Sequence, residues 1–161
     1  MMPEINLSNN ENLDYLIGRL TEIQASGKIS GLEYERLTSN NAYEFKITFY
    51  ASDERKVEIY TDAKTRYKTV FESFFEEFTD YIQPNTDFHE LVDWALRFVN
   101  AYINNQYVAT FYKNKKSGSV DYGEIKFVDK NVGSRSIATV KNPLFPVYKL
   151  LRKYEKIQTI G

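Results

Sequence analysis

The spacing of apolar residues predicts four helices along the chain, because in each stretch these residues recur every three or four positions. The helices are predicted over residues 11–24, 66–82, 87–104 and 145–157. Their ends carry recognisable signals: Asn9 or Asn10 can cap the first helix, and Asp87 with Glu90 forms a capping box at the third. Pro143 is tolerated in the first turn of the last helix.

Strict alternation of apolar and polar residues predicts six strands. They fall over residues 31–37, 43–50, 56–61, 107–112, 122–128 and 136–140, and the second is the clearest. The resulting order is α-βββ-αα-βββ-α. Because the strands cluster as hairpins and do not alternate singly with helices, we expect a single α+β domain over residues 1–161. Its sheet or sheets are expected to be antiparallel or mixed, with helices packed against them.

Composition excludes several kinds of chemistry. The chain has no cysteine and one histidine, so thiolate nucleophiles and multi-histidine metal sites cannot be built. It contains no glycine-rich phosphate loop, no apolar run long enough for a membrane span and no signal-peptide pattern. We therefore expect a cytoplasmic protein without a metal or cofactor that is not an enzyme.

Two weaker enzymatic possibilities stay open. His89 is a possible general base, although a surface histidine in an acidic helix start is the favoured interpretation. Glu44 with Lys46, and Glu124 with Lys126, form Glu-x-Lys pairs like those that hold Mg²⁺ in restriction-type nucleases. Neither pair has the required aspartate on a preceding strand. The two pairs also leave open an internal duplication.

Charge is distributed unevenly along the chain, although the formal net charge is −1. Residues 1–100 carry 18 acidic and 10 basic side chains, whereas residues 101–161 carry 4 acidic and 11 basic ones. We expect an acidic face within the predicted second and third helices to bind a partner. Acidic residues there recur one helical turn apart and would form a ridge. This acidic face consists of Glu72, Glu76, Glu77, Asp80, Asp87, Glu90 and Asp93.

A basic face in the last third of the chain is the second candidate site, for a partner protein or for nucleic acid. It combines a hairpin loop with one face of the predicted last helix, at positions i, i+3, i+4 and i+7. Its residues are Lys113, Lys115, Lys116, Lys149, Arg152, Lys153 and Lys156. Against direct nucleic-acid binding, the calculated pI of the whole chain is about 5.9, well below that of typical nucleic-acid-binding domains.

The chain is compact, lacks catalytic groups, has segregated charge and is rich in Phe, Tyr, Ile, Asn and Lys, which AT-rich codons encode. In these respects it resembles small phage or mobile-element inhibitors of the anti-CRISPR type. The resemblance lies in composition, so it carries no functional residue over. It implies a non-enzymatic protein-binding module that blocks a host nucleic-acid enzyme, such as a CRISPR nuclease, by charge complementarity. The expected partner is a basic nucleic-acid-handling protein. The alternatives are a nucleic-acid-binding accessory protein that uses the basic C-terminal helix and loop, and a metal-dependent nuclease.

Overall fold

A computed structural model of the chain describes residues 10–38, 42–72, 77–82, 87–129 and 133–160. The described helices are α1 (Glu11–Ala25), α2 (Phe88–Ile103) and α3 (Phe145–Leu150). The described strands are β1 (Ile29–Arg36), β2 (Phe45–Ala51), β3 (Lys56–Thr61), β4 (Tyr67–Glu72), β5 (Glu77–Ile82), β6 (Tyr107–Asn114), β7 (Val120–Asp129), β8 (Gly133–Val140) and β9 (Tyr154–Ile160).

The strands form two antiparallel sheets, which confirms the predicted α+β class. Sheet A is a meander in the order β1-β2-β3-β4-β5, so each strand pairs with its neighbour in sequence. Sheet B has the order β8-β7-β6-β9, and its last strand pairs with the strand three places before it. Sheet B therefore ends in an edge strand that comes from the C-terminal end of the described chain.

One hydrophobic core joins the two sheets through α2. Ten side chains of α2 are buried, which is why its apolar stripe covers more than one face. Phe71 of β4 lies 5.2 Å from Phe127 of β7, and Phe78 of β5 lies 5.9 Å from Phe111 of β6, measured between ring centroids. The inner faces of both sheets thus meet directly beside α2, and their outer faces point away from the core.

Local signals explain the elements that were predicted well. The side chain of Asn10 accepts a hydrogen bond from the backbone N–H of Leu13 and so begins α1. Asp87 does the same for the N–H of His89 at the start of α2. In β2, the residues Phe45, Ile47 and Phe49 are all buried, because alternate side chains of a strand point to the same face.

The helix predicted over residues 66–82 is wrong, because this stretch contains the strands β4 and β5. The spacing of Phe71 and Phe78 fits a helical repeat, but both also fit a strand repeat within their own strands. Tyr67, Thr69 and Phe71 are buried together on β4, as are Phe78 and Asp80 on β5. Because β-branched and aromatic residues prefer pleated, half-buried surfaces, the strand pairing prevails.

The last helix is shorter than predicted. It ends at Leu150, and Tyr154–Ile160 is the strand β9 paired with β6. The chain leaves the helix at Arg152, whose φ of 54° lies in the left-handed region and so ends a right-handed helix. Ile157 then packs against the core from the strand, beside its register partner Phe111.

A buried ion pair connects sheet A to sheet B. Asp80 of β5 is only 4% exposed, and the Nη2 atom of Arg135 of β8 lies 2.5 Å from its Oδ1 atom. Burial raises the pKa of Asp80 above its usual value, and the guanidinium of Arg135 counteracts part of that rise. The guanidinium also lies 5.0 Å from the centre of the Phe98 ring of α2. The pair therefore joins β5, β8 and α2.

We predict that Arg135→Met destabilises the fold, because it leaves the carboxylate of Asp80 buried without a counter-charge. The expected loss of unfolding free energy is about 3 kcal/mol, at the lower end of the range for broken buried pairs, since Arg135 is partly exposed. Urea denaturation measures it. The double variant Asp80→Leu with Arg135→Met should recover most of the loss; equal stability of wild type and Arg135→Met would show that the pair does not connect the sheets.

Candidate macromolecule-binding surface

The residues of the predicted acidic face do not form one ridge. Glu72 and Glu77 face each other across the β4–β5 pair, and Asp80 points inward to Arg135. The helical spacing that placed Glu72, Glu76 and Asp80 at successive turns is wrong, because Glu72 and Asp80 lie on strands. Glu76 lies outside the described residues.

The acidic residues at the start of α2 have other contacts than those on sheet A. Asp87 caps the helix, and Glu90 is exposed on its first turn. Asp93 accepts a hydrogen bond of 2.7 Å from the hydroxyl of Tyr15 and lies 3.6 Å from Nε of Arg19. Four of the seven acidic residues are thus used by the fold: Asp80, Asp87, Asp93 and also Glu72, whose Oε2 atom accepts a hydrogen bond of 2.8 Å from the backbone N–H of Lys56.

The structure does bring together the two segments that make up the predicted basic face, although not on a helix. The backbone N–H of Lys115, in the β6–β7 turn, donates to the carbonyl of Lys153 at 2.9 Å. Lys113 is the register partner of Glu155, and Tyr112 that of Lys156. Only Lys149 of the C-terminal group lies on α3; Arg152 and Lys153 lie in the turn after it, and Lys156 lies on β9.

Asp121 of β7 holds this arrangement in place. Its Oδ2 atom accepts hydrogen bonds from the hydroxyl of Tyr154 at 2.7 Å and from the amide of Asn142 at 3.2 Å. The hydroxyl of Ser119 donates to Oδ1 at 3.0 Å. Burial alone would raise the pKa of Asp121, but these hydrogen bonds outweigh it and hold the pKa below its usual value. The carboxylate thereby ties β9 and the β8–α3 connection to β7.

The same contact changes Tyr154. Burial and the hydrogen bond to the carboxylate raise the pKa of Tyr154 to about 12, so its hydroxyl stays protonated and keeps donating. The Tyr154 ring lies 5.1 Å from the ring of Phe145, the buried anchor of α3. Phe145 is also stacked on Tyr122, with ring centroids 4.6 Å apart and ring planes 7° from parallel. Aromatic packing therefore fixes α3 on the outer face of sheet B.

A groove runs over the outer face of sheet B beside α3. Its volume is about 550 Å³. The register places residues side by side across the strands: Val140, Tyr122, Tyr112 and Lys156 form one row, and Ala138, Glu124, Thr110 and Gln158 form the next. Three lysines line the groove, Lys126, Lys149 and Lys156, against the single acidic side chain of Glu124.

The cations of this region lack the partners that cations of sheet A have. Lys46 and Lys56 of sheet A both form ion pairs with Glu58. In contrast, no residue of the basic face forms an ion pair with any residue that the structure describes. Lys149 and Lys153 instead lie over tyrosine rings. Their charge remains available to a partner.

Exposed apolar side chains border the basic residues. Of the large hydrophobic side chains exposed in the described parts of the chain, most lie between residues 140 and 151: Val140, Leu144, Val147, Leu150 and Leu151. Leu150 is 84% exposed. In the helix predicted over residues 145–157, Val147, Leu150 and Leu151 lie on the apolar side. These three side chains are exposed in the structure, because α3 packs on sheet B through Phe145.

Among the residues that the structure describes, the enzymatic candidates are not joined by other groups that would complete a catalytic site. His89 is exposed at the start of α2, and its ring stacks on that of Tyr15 at 4.0 Å. Glu44 precedes β2, and Lys46 pairs with Glu58. The second Glu-x-Lys pair, Glu124 and Lys126, lines the groove. Within the described residues, no three histidine or carboxylate side chains cluster so that they could hold a metal ion. No described helix is both long and apolar enough to cross a membrane.

We predict that Asp121→Asn lowers the unfolding free energy by about 1–3 kcal/mol at neutral pH, because an amide group cannot accept all the hydrogen bonds that the carboxylate accepts. The pKa of Asp121 is lower in the folded chain than in the unfolded chain. Its contribution is therefore complete above the ordinary carboxyl pKa of about 4 and is lost as the pH falls through the folded value.

Urea denaturation of both proteins at neutral pH and at pH near 3 measures this effect, and the difference in stability should narrow in acid. Glu90→Gln serves as the control, since Glu90 is exposed on α2 and should change neither value. A stability difference between wild type and Asp121→Asn that is the same at both pH values would contradict the role of the charged carboxylate.

The chain was compared with known proteins at three levels. No protein-family model, no curated protein and no solved structure matches it.

Proposed function

We propose that the chain is a non-enzymatic protein-binding module that binds through its C-terminal surface. This surface consists of the exposed apolar side chains Leu144, Val147, Leu150 and Leu151 together with the cations Lys115, Lys116, Lys149, Arg152, Lys153 and Lys156. The observation that carries the proposal is the juxtaposition of exposed leucines with cations that have no ion-pair partner among the described residues.

The apolar part of the surface supports a protein partner. Soluble proteins seldom expose neighbouring large apolar side chains unless another surface covers them. Leu150 and Leu151 follow each other at the end of α3, and both are more than half exposed. Covering a leucine side chain contributes about 1.5–3 kcal/mol when burial is complete. A nucleic acid backbone offers no comparable cover for these side chains.

The cations indicate the charge of the partner. Because the acidic residues are dispersed and partly used by the fold, the basic face is the better candidate for steering a charged partner. A complementary partner carries carboxylates around an apolar patch. This differs from the basic partner expected from an acidic ridge.

Stoichiometric inhibition of a host nucleic-acid enzyme is one role that fits such a module, as in the phage and mobile-element inhibitors that the chain resembles in composition. Nucleases hold their catalytic metal ions with clustered carboxylates. A basic surface with apolar anchors would complement an acidic region of that kind. In this role the chain acts by occupying the enzyme's surface, with no reaction of its own.

A second candidate function, binding of single-stranded nucleic acid, is favoured by the groove. Lys126, Lys149 and Lys156 line it together with the rings of Tyr112 and Tyr122. Lysines beside aromatic rings can follow a phosphate backbone and stack bases. However, the faces of Tyr122 and Phe145 are stacked on each other, so one face of the Tyr122 ring is already occupied.

We predict that the double variant Leu150→Ser with Leu151→Ser weakens binding of an acidic probe peptide by about tenfold or more, because two apolar contacts are lost. The probe is a short fluorescent peptide in which glutamate and valine alternate, titrated by fluorescence anisotropy. Thermal stability should stay unchanged, because both leucines are exposed. Tyr81→Ser, which alters a side chain that is 65% exposed on sheet A, is the matched control and should bind the peptide normally.

A fluorescent oligothymidylate titrated in parallel separates the two candidate functions. Protein binding is contradicted if three results occur together. The oligonucleotide binds more tightly than the peptide, the leucine variant does not change oligonucleotide binding, and Lys126→Glu abolishes oligonucleotide binding. Failure of the leucine variant to weaken peptide binding would also contradict the proposal.

A further inference from the structure

We propose that β9 is the docking edge of the C-terminal surface, and that the partner adds an extended acidic segment to it as a fifth strand of sheet B. This inference rests on the proposed function and specifies how the partner binds. In such strand addition, backbone hydrogen bonds give affinity and alternate side chains give specificity.

The backbone of β9 is open on one side. In an antiparallel ladder, residues that exchange hydrogen bonds with one neighbour alternate with residues that face the other way. The bond from the N–H of Lys115 to the carbonyl of Lys153 fixes this alternation for the β6–β9 pair. Glu155, Ile157 and Thr159 therefore bond to β6.

The backbone groups of Lys156 and Gln158 accordingly point away from β6, at the outer edge of the sheet. An independent bond gives the same assignment. The N–H of Val128 donates to the carbonyl of Gln106 at 3.0 Å, so alternate residues of β6 starting at Gln106 bond to β7 and those between them bond to β9. Sheet B has no strand beyond β9 among the described residues.

The other sheet edges are less suitable. The β1 edge is interrupted by a register shift between Ser30 and Glu33, which contains Gly31 with a φ of 64°. Such irregularities impede the addition of a regular strand. The β5 and β8 edges are joined to each other by the ion pair between Asp80 and Arg135. This leaves β9 as the regular edge with exposed residues.

The side chains beside the edge specify the sequence of the added strand. On the outer face, Lys156 lies beside Tyr112, and the ammonium of Lys149 is 4.7 Å from the centre of the same ring. A carboxylate on the added strand would lie beside Lys156, on the face of the sheet that also carries Lys149. On the other face, Ile157 is partly buried against the core, so a β-branched apolar residue fits next to it. The occupant is thus a protein segment in which acidic and apolar residues alternate.

Substitution of the backbone N–H tests the inference directly. Gln158→Pro removes the outward N–H and leaves the bonds to β6 in place, since proline is tolerated where the N–H faces solvent at an edge. Gln158→Ala is the matched control, because it changes the side chain and keeps the N–H. We expect Gln158→Pro to weaken binding of the alternating glutamate–valine peptide by about tenfold or more, while Gln158→Ala binds within about twofold of wild type.

A second measurement keeps the test decisive if Gln158→Pro fails to fold. The same peptide with every second backbone nitrogen methylated should lose binding to the wild-type chain in at least one of the two methylation phases. Equal binding of the plain peptide and both methylated peptides would overturn strand addition.

The outcomes separate this inference from the proposed function. If the leucine variant weakens peptide binding but Gln158→Pro and methylation do not, protein binding through the C-terminal surface stands and strand addition is wrong. If the wild-type chain alone forms a dimer in light scattering that Gln158→Pro dissociates, a second copy occupies the edge and the acidic-segment proposal is overturned.

Discussion

The carboxylate of Asp121 is the interaction on which the C-terminal surface depends. It accepts hydrogen bonds from Tyr154 and Asn142, one at each end of the segment that contains α3. Without these bonds the sequence from Phe145 onward has an apolar stripe that could continue as one helix. With them, the helix stops at Leu150 and the chain returns along β6 as β9. The basic residues, the exposed leucines and the open edge all follow from this change of direction.

The two sheets share one core but differ in the charges of their outer faces. On sheet A, Lys46 and Lys56 are both neutralised by Glu58. Sheet B leaves Lys126 and Lys156 without ion-pair partners in the described structure. The unequal charge of the two parts of the chain is therefore not cancelled residue by residue. Instead it remains as a basic area on one sheet, and the proposed binding of an acidic partner rests on this area.

The sequence alone predicted those elements whose signals are local. The cap at Asn10 and the alternation in β2 depend on neighbouring residues, and both are confirmed. The assignments that failed depend on distant partners. Phe71 and Phe78 fit two periodicities, and only pairing of β4 with β5 and packing on sheet B distinguish them. Likewise, nothing near Tyr154 in sequence reveals the carboxylate that binds it.

The candidate site was predictable in composition but not in geometry. Lys113 to Lys116 and Lys149 to Lys156 stand out as basic segments, yet their meeting through Lys115 and Lys153 is a tertiary contact. The exposure of Leu150 could not be predicted, since a leucine in an apolar stripe is usually buried. The predicted acidic ridge does not form, because its regular spacing required a helix where the chain forms β4 and β5.

Amide hydrogen exchange along β9, measured residue by residue by NMR, tests the central claim most directly. The account predicts an alternating pattern, in which the amides of Glu155, Ile157 and Thr159 are protected by bonds to β6 while those of Lys156 and Gln158 exchange rapidly. Uniform protection from Lys149 through Ile157, together with helical cross-peaks between sequential amides, would contradict it. In that case the C-terminal segment would be a helix, and neither the open edge nor the surface built on it would exist.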